Sequence, residues 1–380
     1  MAMAAPTYTR AHVDNCAYAA WYPKLQHVSI KSEIIPLSSA FVSLLLADGV
    51  KLTTMKSSKR IEELRDDDSK TTPPTDALHA QRQVEHDVRE QIEAALRRFK
   101  GHVFPKLNWS CPRDASWMLG SLNCTTYEDV FLLLKSSDFI VHDLTQPYAL
   151  CSDEEHRTAR PDSVYVVLKK WCHFFDSMHF RCFVANRQLI GVSQRHCDEF
   201  YEFLLEQQDH LCELIYRFFH DHLAARDVFP DPDFIFDVYI DKQNRVFLVD
   251  INVFGGVTDP LLFSWEELVE LRDATRRRKA LQGKDGDDED DEDEGEDEQV
   301  VDFRIVESSK GIRPNPLSSY RTPTDFVDHL ADAGGFDAFI EQVRRDNAGL
   351  GDDDSSDDDE AQDEEEDDDV RWGSDNDDYD

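Results

Sequence analysis

Two apolar segments in the second half of the chain, Phe234–Ile240 and Arg245–Asn252, are separated by four polar residues. Both segments are rich in β-branched and aromatic residues, and the Asp-Lys-Gln-Asn stretch between them has the composition of a turn. This pattern predicts a β-hairpin.

Three oxygen-bearing side chains lie on this predicted hairpin. Asp250 and Asn252 share one face, because residues two apart on a strand point the same way. If Ile240 pairs with Arg245, Asp237 shares that face as well. Two carboxylates and an amide oxygen suit a hard cation such as Mg²⁺. Solvent-facing positions on an amphipathic hairpin are the alternative, but the apolar neighbours of both aspartates indicate a sheet covered on both faces.

Other periodic segments indicate helices and antiparallel strands in mixed order, which predicts an α+β fold. A Thr126/Asp129 pair and a Ser264/Glu267 pair have the spacing of helix N-terminal capping boxes. The remaining predicted elements are helices at Gln81–Phe99 and Asp198–Leu223, and strands at Val164–Lys170, Phe180–Ala185 and Gln188–Gln194.

The net charge of −38 is concentrated in two runs. Asp285–Glu298 holds 12 acidic residues and Asp352–Asp380 holds 18, and such runs repel themselves and have nothing apolar to bury. We therefore expect residues 18–282 and 300–346 to form one sizeable domain, or two lobes that share a cleft. Within the first of these ranges we expect a mobile linker at 53–80. Outside the domain we expect a disordered acidic insertion at 283–299 and a disordered acidic tail at 347–380.

Several classes of protein are disfavoured by composition. An acidic chain repels nucleic-acid phosphates, and no run of about 18 apolar residues predicts a membrane span. The N-terminal residues lack the pattern of a secretory signal. The eight scattered cysteines form no CxxC pair, which favours reduced thiols in the cytoplasm. We expect a monomer.

Basic residues at the ends of predicted strands are candidates for phosphate contacts. Lys106 follows one strand, Lys169 and Lys170 end another before Trp171, and Arg181 lies on a third. A buried strand ending in cations can line a nucleotide pocket. Lys106 on its own is better explained as a surface lysine, whereas the cations taken together could oppose a triphosphate. No GxxxxGKS/T phosphate-binding loop is present.

Eight ordered blocks of this sequence resemble the cell division cycle protein 123 family. The blocks are WYP, FPKLNWS-CPRDASW, FLLLKSSDFI, VVLKKWC, FRCFV with LIGVSQR, FDVYID, FLVDIN and LLFSWEEL. The match as a whole runs from about Trp21 to Phe326, with gaps at the polar linker and the acidic insertion. The resemblance implies a single domain with a two-lobed ATP-grasp-like fold, antiparallel sheets and a cleft that binds ATP with Mg²⁺. It also implies an assembly chaperone that binds the γ subunit of the heterotrimeric translation initiation factor 2 and promotes formation of the complex.

The resemblance further implies roles for individual residues. Asp237, Asp250 and Asn252 would hold Mg²⁺, which agrees with the hairpin reasoning. The hinge strand beside adenine would be Lys169, Lys170, Trp171 and Cys172. Phosphate and loop contacts would come from Lys106, Asn108, Trp109, Cys111, Arg113, Asp114 and Arg181.

This chain departs from the family pattern at a few positions. Lys169 stands where arginine is common, Val253 replaces a proline, and Gly255-Gly256 replaces a Gly-Glu pair. Two other functions remain open from the sequence. One is an ATP-grasp ligase that joins a carboxylate to an amine, and the other is an acidic scaffold for basic proteins.

Overall fold

Two β-sheets organise the part of the chain that the computed structural model describes, residues 5–47, 75–282 and 301–314. The smaller sheet has the order β1-β3-β2, formed by β1 (Ser32–Leu37), β2 (Val103–Lys106) and β3 (Val164–Lys170). The larger has the order β7-β6-β4-β5-β8, formed by β4 (His179–Ala185), β5 (Gln188–Gln194), β6 (Phe234–Ile240), β7 (Val246–Val253) and β8 (Asp302–Arg304). Neighbouring strands are antiparallel except β5 and β8.

Helices lie between these strands in the chain, so the predicted α+β class is confirmed. In the described residues they are α1 (Arg10–Asn15), α2 (Tyr18–Leu25), α3 (Ser39–Leu46), α4 (Thr75–Arg98), α5 (Tyr127–Lys135), α6 (Asp138–Thr145), α7 (Leu204–His222) and α8 (Trp265–Gln282), with short 3₁₀ turns besides.

The predicted helix starts are confirmed by their hydrogen bonds. The Thr126 hydroxyl accepts from the backbone N–H of Asp129, whose carboxylate accepts from the N–H of Thr126. Ser264 and Glu267 make the same reciprocal pair at the start of α8. Each pair satisfies N–H groups that a helix start leaves without intrahelical partners.

The β4–β5 hairpin is also confirmed. Asn186 and Arg187 form its two-residue turn with φ angles of 51° and 61°. Positive φ at both positions gives the turn the twist of the flanking strands.

Two other predicted helix starts, at Asp198 and at Gln81, differ from the structure. Helix α7 begins at Leu204, not at Asp198, because the Gln194 side-chain amide donates to the carbonyl oxygens of His196 and Glu199 and holds this stretch as a loop. Helix α4 begins at Thr75, so the last residues of the predicted linker are helical. The rest of that linker, the acidic insertion and the acidic tail lie outside the described residues.

Each sheet has its own apolar core. The three-stranded sheet packs against α3, α4 and α5 through residues that include Phe41, Ile92, Phe131 and Leu168. The five-stranded sheet is covered on one face by α2 and α7 (Trp21, Ile215, Phe219, Phe236) and on the other by α8 (Phe183, Ile235, Phe263, Leu268). Polar residues on the central strands are therefore held away from solvent.

Candidate functional site

A β-bulge places the predicted metal ligands together on the face of the larger sheet that α8 partly covers. Ile240 pairs with Val246, so the expected pairing of Ile240 with Arg245, which would put Asp237 opposite Leu248, is wrong. The register then shifts by one residue, and Asp237 lies directly opposite Asp250.

Asn252 joins the two aspartates on this face. It pairs with Ile235, two residues before Asp237, and its Nδ2 lies 3.4 Å from Asp237 Oδ2. The trio expected from the sequence is thus brought together, although through a different register. Among the described residues no group of three or more His, Cys, Asp or Glu side chains forms a metal site, so this place offers two carboxylates and an amide.

Lysines of the smaller sheet reach across to the strand that carries Asp250. Lys106 and Lys169 share one face, since Lys106 pairs with Val167 two residues before Lys169. Lys106 Nζ donates to both carboxylate oxygens of Asp250 at 2.8 and 2.7 Å, while Lys169 Nζ donates to the carbonyl oxygen of Val249 at 2.7 Å. Both lysines are buried.

Arginines of the larger sheet bind the other carboxylate. The Arg181 guanidinium donates two hydrogen bonds of 2.8 Å to the Asp237 carboxylate, one to each oxygen. Arg195 Nε lies 3.4 Å from Asp237 Oδ2. Burial alone would raise the pKa of Asp237, but Arg181 and Arg195 outweigh it and hold that pKa well below its usual range. Asp237 is therefore ionised at every physiological pH.

The pKa values of two other cations at this site, Lys169 and Arg195, are lowered from their ordinary values. Burial lowers the pKa of Lys169 to about 8, with Asp250 opposing the shift and Lys106 adding to it. Burial and the neighbouring Arg181 lower the pKa of Arg195 to about 10. Positive charge is thus crowded here, which an anionic ligand would relieve.

An open cleft of about 620 Å³ borders these groups. Asp237, Asp250, Asn252, Arg181 and Arg195 line it, together with the loop after β2, which contributes Trp109, Cys111 and Arg113. This volume is in the range of small-molecule and cofactor sites.

Two residues of that loop are engaged in the framework instead. The Asn108 side chain donates to the Ser163 carbonyl and accepts from the Tyr165 N–H, which ties the end of β2 to the start of β3. The buried Asp114 carboxylate accepts from the Ser137 hydroxyl and from the N–H groups of Asp138 and Phe139 at the start of α6. Neither side chain lines the cleft.

The predicted hinge strand lies beside the cleft and not in its wall. The N–H of Trp171 donates to the carbonyl oxygen of His102, and the Cys172 thiol donates to that of Lys170. The indole N–H of Trp171 is buried and has no hydrogen-bond partner in the described part of the chain. A buried donor of this kind is costly unless a ligand satisfies it.

Sequence reasoning missed several residues of this site. Arg195 was not among the expected contacts, although it lies two positions beyond Ser193, which pairs with Arg181 on the same face. The two-residue period of the hairpin was the signal that pointed to it. Arg313 also lines the cleft, and its N–H donates to the Cys197 carbonyl; no local pattern marked it.

Comparison with known proteins shows which family this chain belongs to. A model of the family described as D123 matches residues 21–330. The chain belongs to the D123 family. This finding confirms the resemblance drawn from the sequence blocks.

Relatives and solved structures agree with the family. A protein of Xenopus laevis called translation initiation factor eIF2 assembly protein is 38% identical over 330 residues, covering 84% of this chain and 91% of its own. Cell division cycle protein 123 of Aspergillus terreus is 38% identical over 317 residues, covering 80% and 74%. The structure of Cdc123 from Schizosaccharomyces pombe is 33% identical, with a TM-score of 0.58 over 79% of this chain and 98% of that one.

The helices of this D123 family member do not meet the requirements for crossing a bilayer in the part of the chain that the structure describes. Within residues 5–47, 75–282 and 301–314, none has both the length and the apolar character needed to cross one. All eight cysteines of the chain are free thiols.

Proposed function

We propose that this protein binds ATP with Mg²⁺ in the cleft beside Asp237 and Asp250, and that it acts as an assembly chaperone for the translation initiation factor eIF2 by engaging the γ subunit. The names of its relatives support the eIF2 part of this proposal, since several are called eIF2 assembly proteins. The resemblance of the sequence blocks supports the ATP-grasp-like fold and the γ subunit. We place the protein in the cytoplasm, where its thiols stay reduced, and expect it to act as a monomer.

The single observation that carries the nucleotide proposal is the pairing of cations with carboxylates at the cleft. Lys106 is bound to Asp250, and Arg181 and Arg195 are bound to Asp237. Charges of both signs are therefore already desolvated and aligned where a metal–polyphosphate complex needs them. A surface salt-bridge network would not be buried to this degree.

The donor set fits a magnesium ion. Asp237 and Asp250 offer carboxylate oxygens, and Asn252 offers its amide oxygen, which makes no hydrogen bond within the described residues. Bound Mg²⁺ would neutralise phosphate charge. The chain's own part is to release Lys106, Arg181 and Arg195 from the carboxylates and to present them to the anionic ligand.

The remaining predicted contacts have distinct roles in this proposal. Trp109, Cys111 and Arg113 line the cleft and would border the nucleotide directly. The indole N–H of Trp171 would find its missing acceptor on the hinge side. A ligand that joins the loop after β2 to the larger sheet would fix the surface presented to the client, a population shift driven by differential affinity.

Calorimetry tests this proposal. We expect ATP to bind more tightly with Mg²⁺ than without it, and Asp237→Ala to abolish that gain. Asp221→Asn, an exposed acid on α7, is the matched control. Equal ATP affinity with and without Mg²⁺ in the native sequence would contradict the proposal, and a covalent product formed from ATP and a carboxylic acid would favour a ligase.

A second measurement addresses the client. Immobilised eIF2 γ subunit should retain more of the protein in the presence of ATP and Mg²⁺ than in their absence. Asp237→Ala should remove this difference.

A further inference from the structure

The bulge in β7 determines which way Asp250 points. Val238 pairs with Leu248, whereas Asp237 pairs with Asp250, so Val249 has no partner residue on β6. Without the extra residue, the register of Val238 would continue and Asp237 would lie opposite Val249. Asp250 would then point to the other face of the sheet.

Lys169 holds the residue at the centre of this bulge. The Lys169 Nζ donates to the Val249 carbonyl oxygen at 2.7 Å, and Lys169 is only 4% exposed. An ammonium group this deeply buried needs a hydrogen-bond acceptor, and a bulge carbonyl needs a donor that the ladder does not supply. Each group meets the other's requirement.

The lysine is itself fixed on a rigid element. Lys169 lies in the central strand of the smaller sheet, where it pairs with Ser32 on β1 and with Phe104 on β2. The Tyr18 ring, fully buried, lies 5.2 Å from the Lys169 ammonium and 5.1 Å from that of Lys106. The position and direction of the Lys169 side chain are thus set by the smaller sheet and by the Tyr18 ring.

We infer that Lys169 is a positioning residue: its ammonium clamps the β-bulge at Val249 and thereby keeps the Asp250 carboxylate opposite that of Asp237. This role differs from the hinge contact with the nucleotide that the family resemblance implies for Lys169. The effect that we expect on Mg²⁺-dependent ATP affinity rests on the proposed function. The contact between Lys169 and the bulge does not depend on that proposal.

Hydrogen exchange tests the clamp in nucleotide-free protein. We expect the amides of residues 248–252 to exchange at least about tenfold faster in Lys169→Met, with those of β4 unchanged. Lys169→Arg, which keeps N–H donors at this position, should restore protection. Lys31→Met, an exposed lysine next to β1, is the matched control. Unchanged exchange at 248–252, or equal acceleration in β4, would overturn the inference.

Calorimetry separates positioning from a direct phosphate contact. In Lys169→Met we expect the Mg²⁺-dependent gain in ATP affinity to fall by about tenfold or more, with the affinity for metal-free ATP within about twofold of the native value. An equal loss of metal-free affinity would assign Lys169 to the phosphates and overturn the inference. If the native protein shows no Mg²⁺-dependent gain, the proposed function fails, and the exchange experiment still judges the clamp.

Discussion

The ammonium group of Lys106 lies 2.7 and 2.8 Å from the two carboxylate oxygens of Asp250, a residue 144 positions further along the chain. This contact joins the edge strand β2 of the smaller sheet to the edge strand β7 of the larger one. The Lys106 side chain is 2% exposed and that of Asp250 is 21% exposed. The ion pair therefore links the two sheets. It also engages the Asp250 carboxylate, which is one of the proposed Mg²⁺ ligands.

This unequal burial predicts unequal effects of removing either partner. Asp250→Asn leaves the deeply buried Lys106 charge without its counterion, and we expect the free energy of unfolding to fall by about 3 kcal/mol. Lys106→Met should cost less, because water can reach Asp250. The double variant should cost clearly less than the sum, as measured by urea unfolding. Additive effects within about 0.5 kcal/mol would show that the two groups do not interact.

Binding of metal and nucleotide should be mutually dependent. Mg²⁺ alone must displace Lys106 and Arg181 and leave them buried without their counterions, while ATP alone must draw these cations away from Asp250 and Asp237. Each partial complex therefore carries an uncompensated buried charge. We expect calorimetry to detect Mg²⁺ binding only when nucleotide is present. Tight Mg²⁺ binding to nucleotide-free protein would contradict this coupling.

Asp114 should affect stability and leave nucleotide affinity unchanged. Its carboxylate accepts three hydrogen bonds at the start of α6, so we expect Asp114→Asn to lower the free energy of unfolding by about 1–3 kcal/mol. Asp138→Asn, an exposed acid in the same helical turn, is the control. A large drop in ATP affinity for Asp114→Asn, measured under conditions where the variant is folded, would restore the nucleotide role expected from the family resemblance.

His179 should make the folded protein sensitive to acid. Burial, followed by His196 and Arg195, lowers the pKa of His179 to about 3, against an ordinary value of 6.5. Between these values the unfolded chain binds the proton more readily, so stability rises with pH across this window by at most about 1.4 kcal/mol per unit. His179→Phe, which can still pack on Phe174 and Tyr239, should lose less stability than the native protein between pH 7 and pH 5. Identical pH dependence of urea unfolding in the two proteins would contradict the assignment.

Removal of the acidic tail separates the chaperone from the acidic scaffold. If client binding depends on the nucleotide cleft, deletion of Asp352–Asp380 should leave most γ-subunit binding intact, while Asp250→Ala should weaken ATP binding and client assembly together. A pull-down with purified eIF2 γ subunit measures both. The reverse result, with binding lost on deletion and retained in Asp250→Ala, would favour the scaffold.

Much of the local structure follows from short-range patterns in the sequence. The capping pair at Thr126 and Asp129, the Asn186-Arg187 turn and the strand Val164–Lys170 were all predicted from residues within a few positions of each other. Such features depend on backbone hydrogen bonds and φ/ψ preferences that neighbouring residues satisfy. The shared face of Asp250 and Asn252 was also predicted, because alternation along a strand is a local property, whereas the place of Asp237 depended on the register between two strands.

The register that unites those ligands could not be obtained in this way. The sequence analysis placed Asp237 on the shared face on the condition that Ile240 pairs with Arg245, whereas the folded chain pairs Ile240 with Val246 and inserts Val249 as a bulge. The Val249 carbonyl oxygen accepts its hydrogen bond from Lys169, which belongs to the other sheet. No pattern within the hairpin carries this information.

Sequence alone thus established the α+β class, the family resemblance, the strands that bear the acids and the basic residues that could oppose them. The folded arrangement added which cation meets which carboxylate, the framework roles of Asn108 and Asp114, and the membership of Arg195 and Arg313 in the cleft. The physical reason is that helices, turns and strand faces arise from contacts between near neighbours. Ion pairs between residues more than a hundred positions apart exist only after two sheets have packed and excluded water from the space between them.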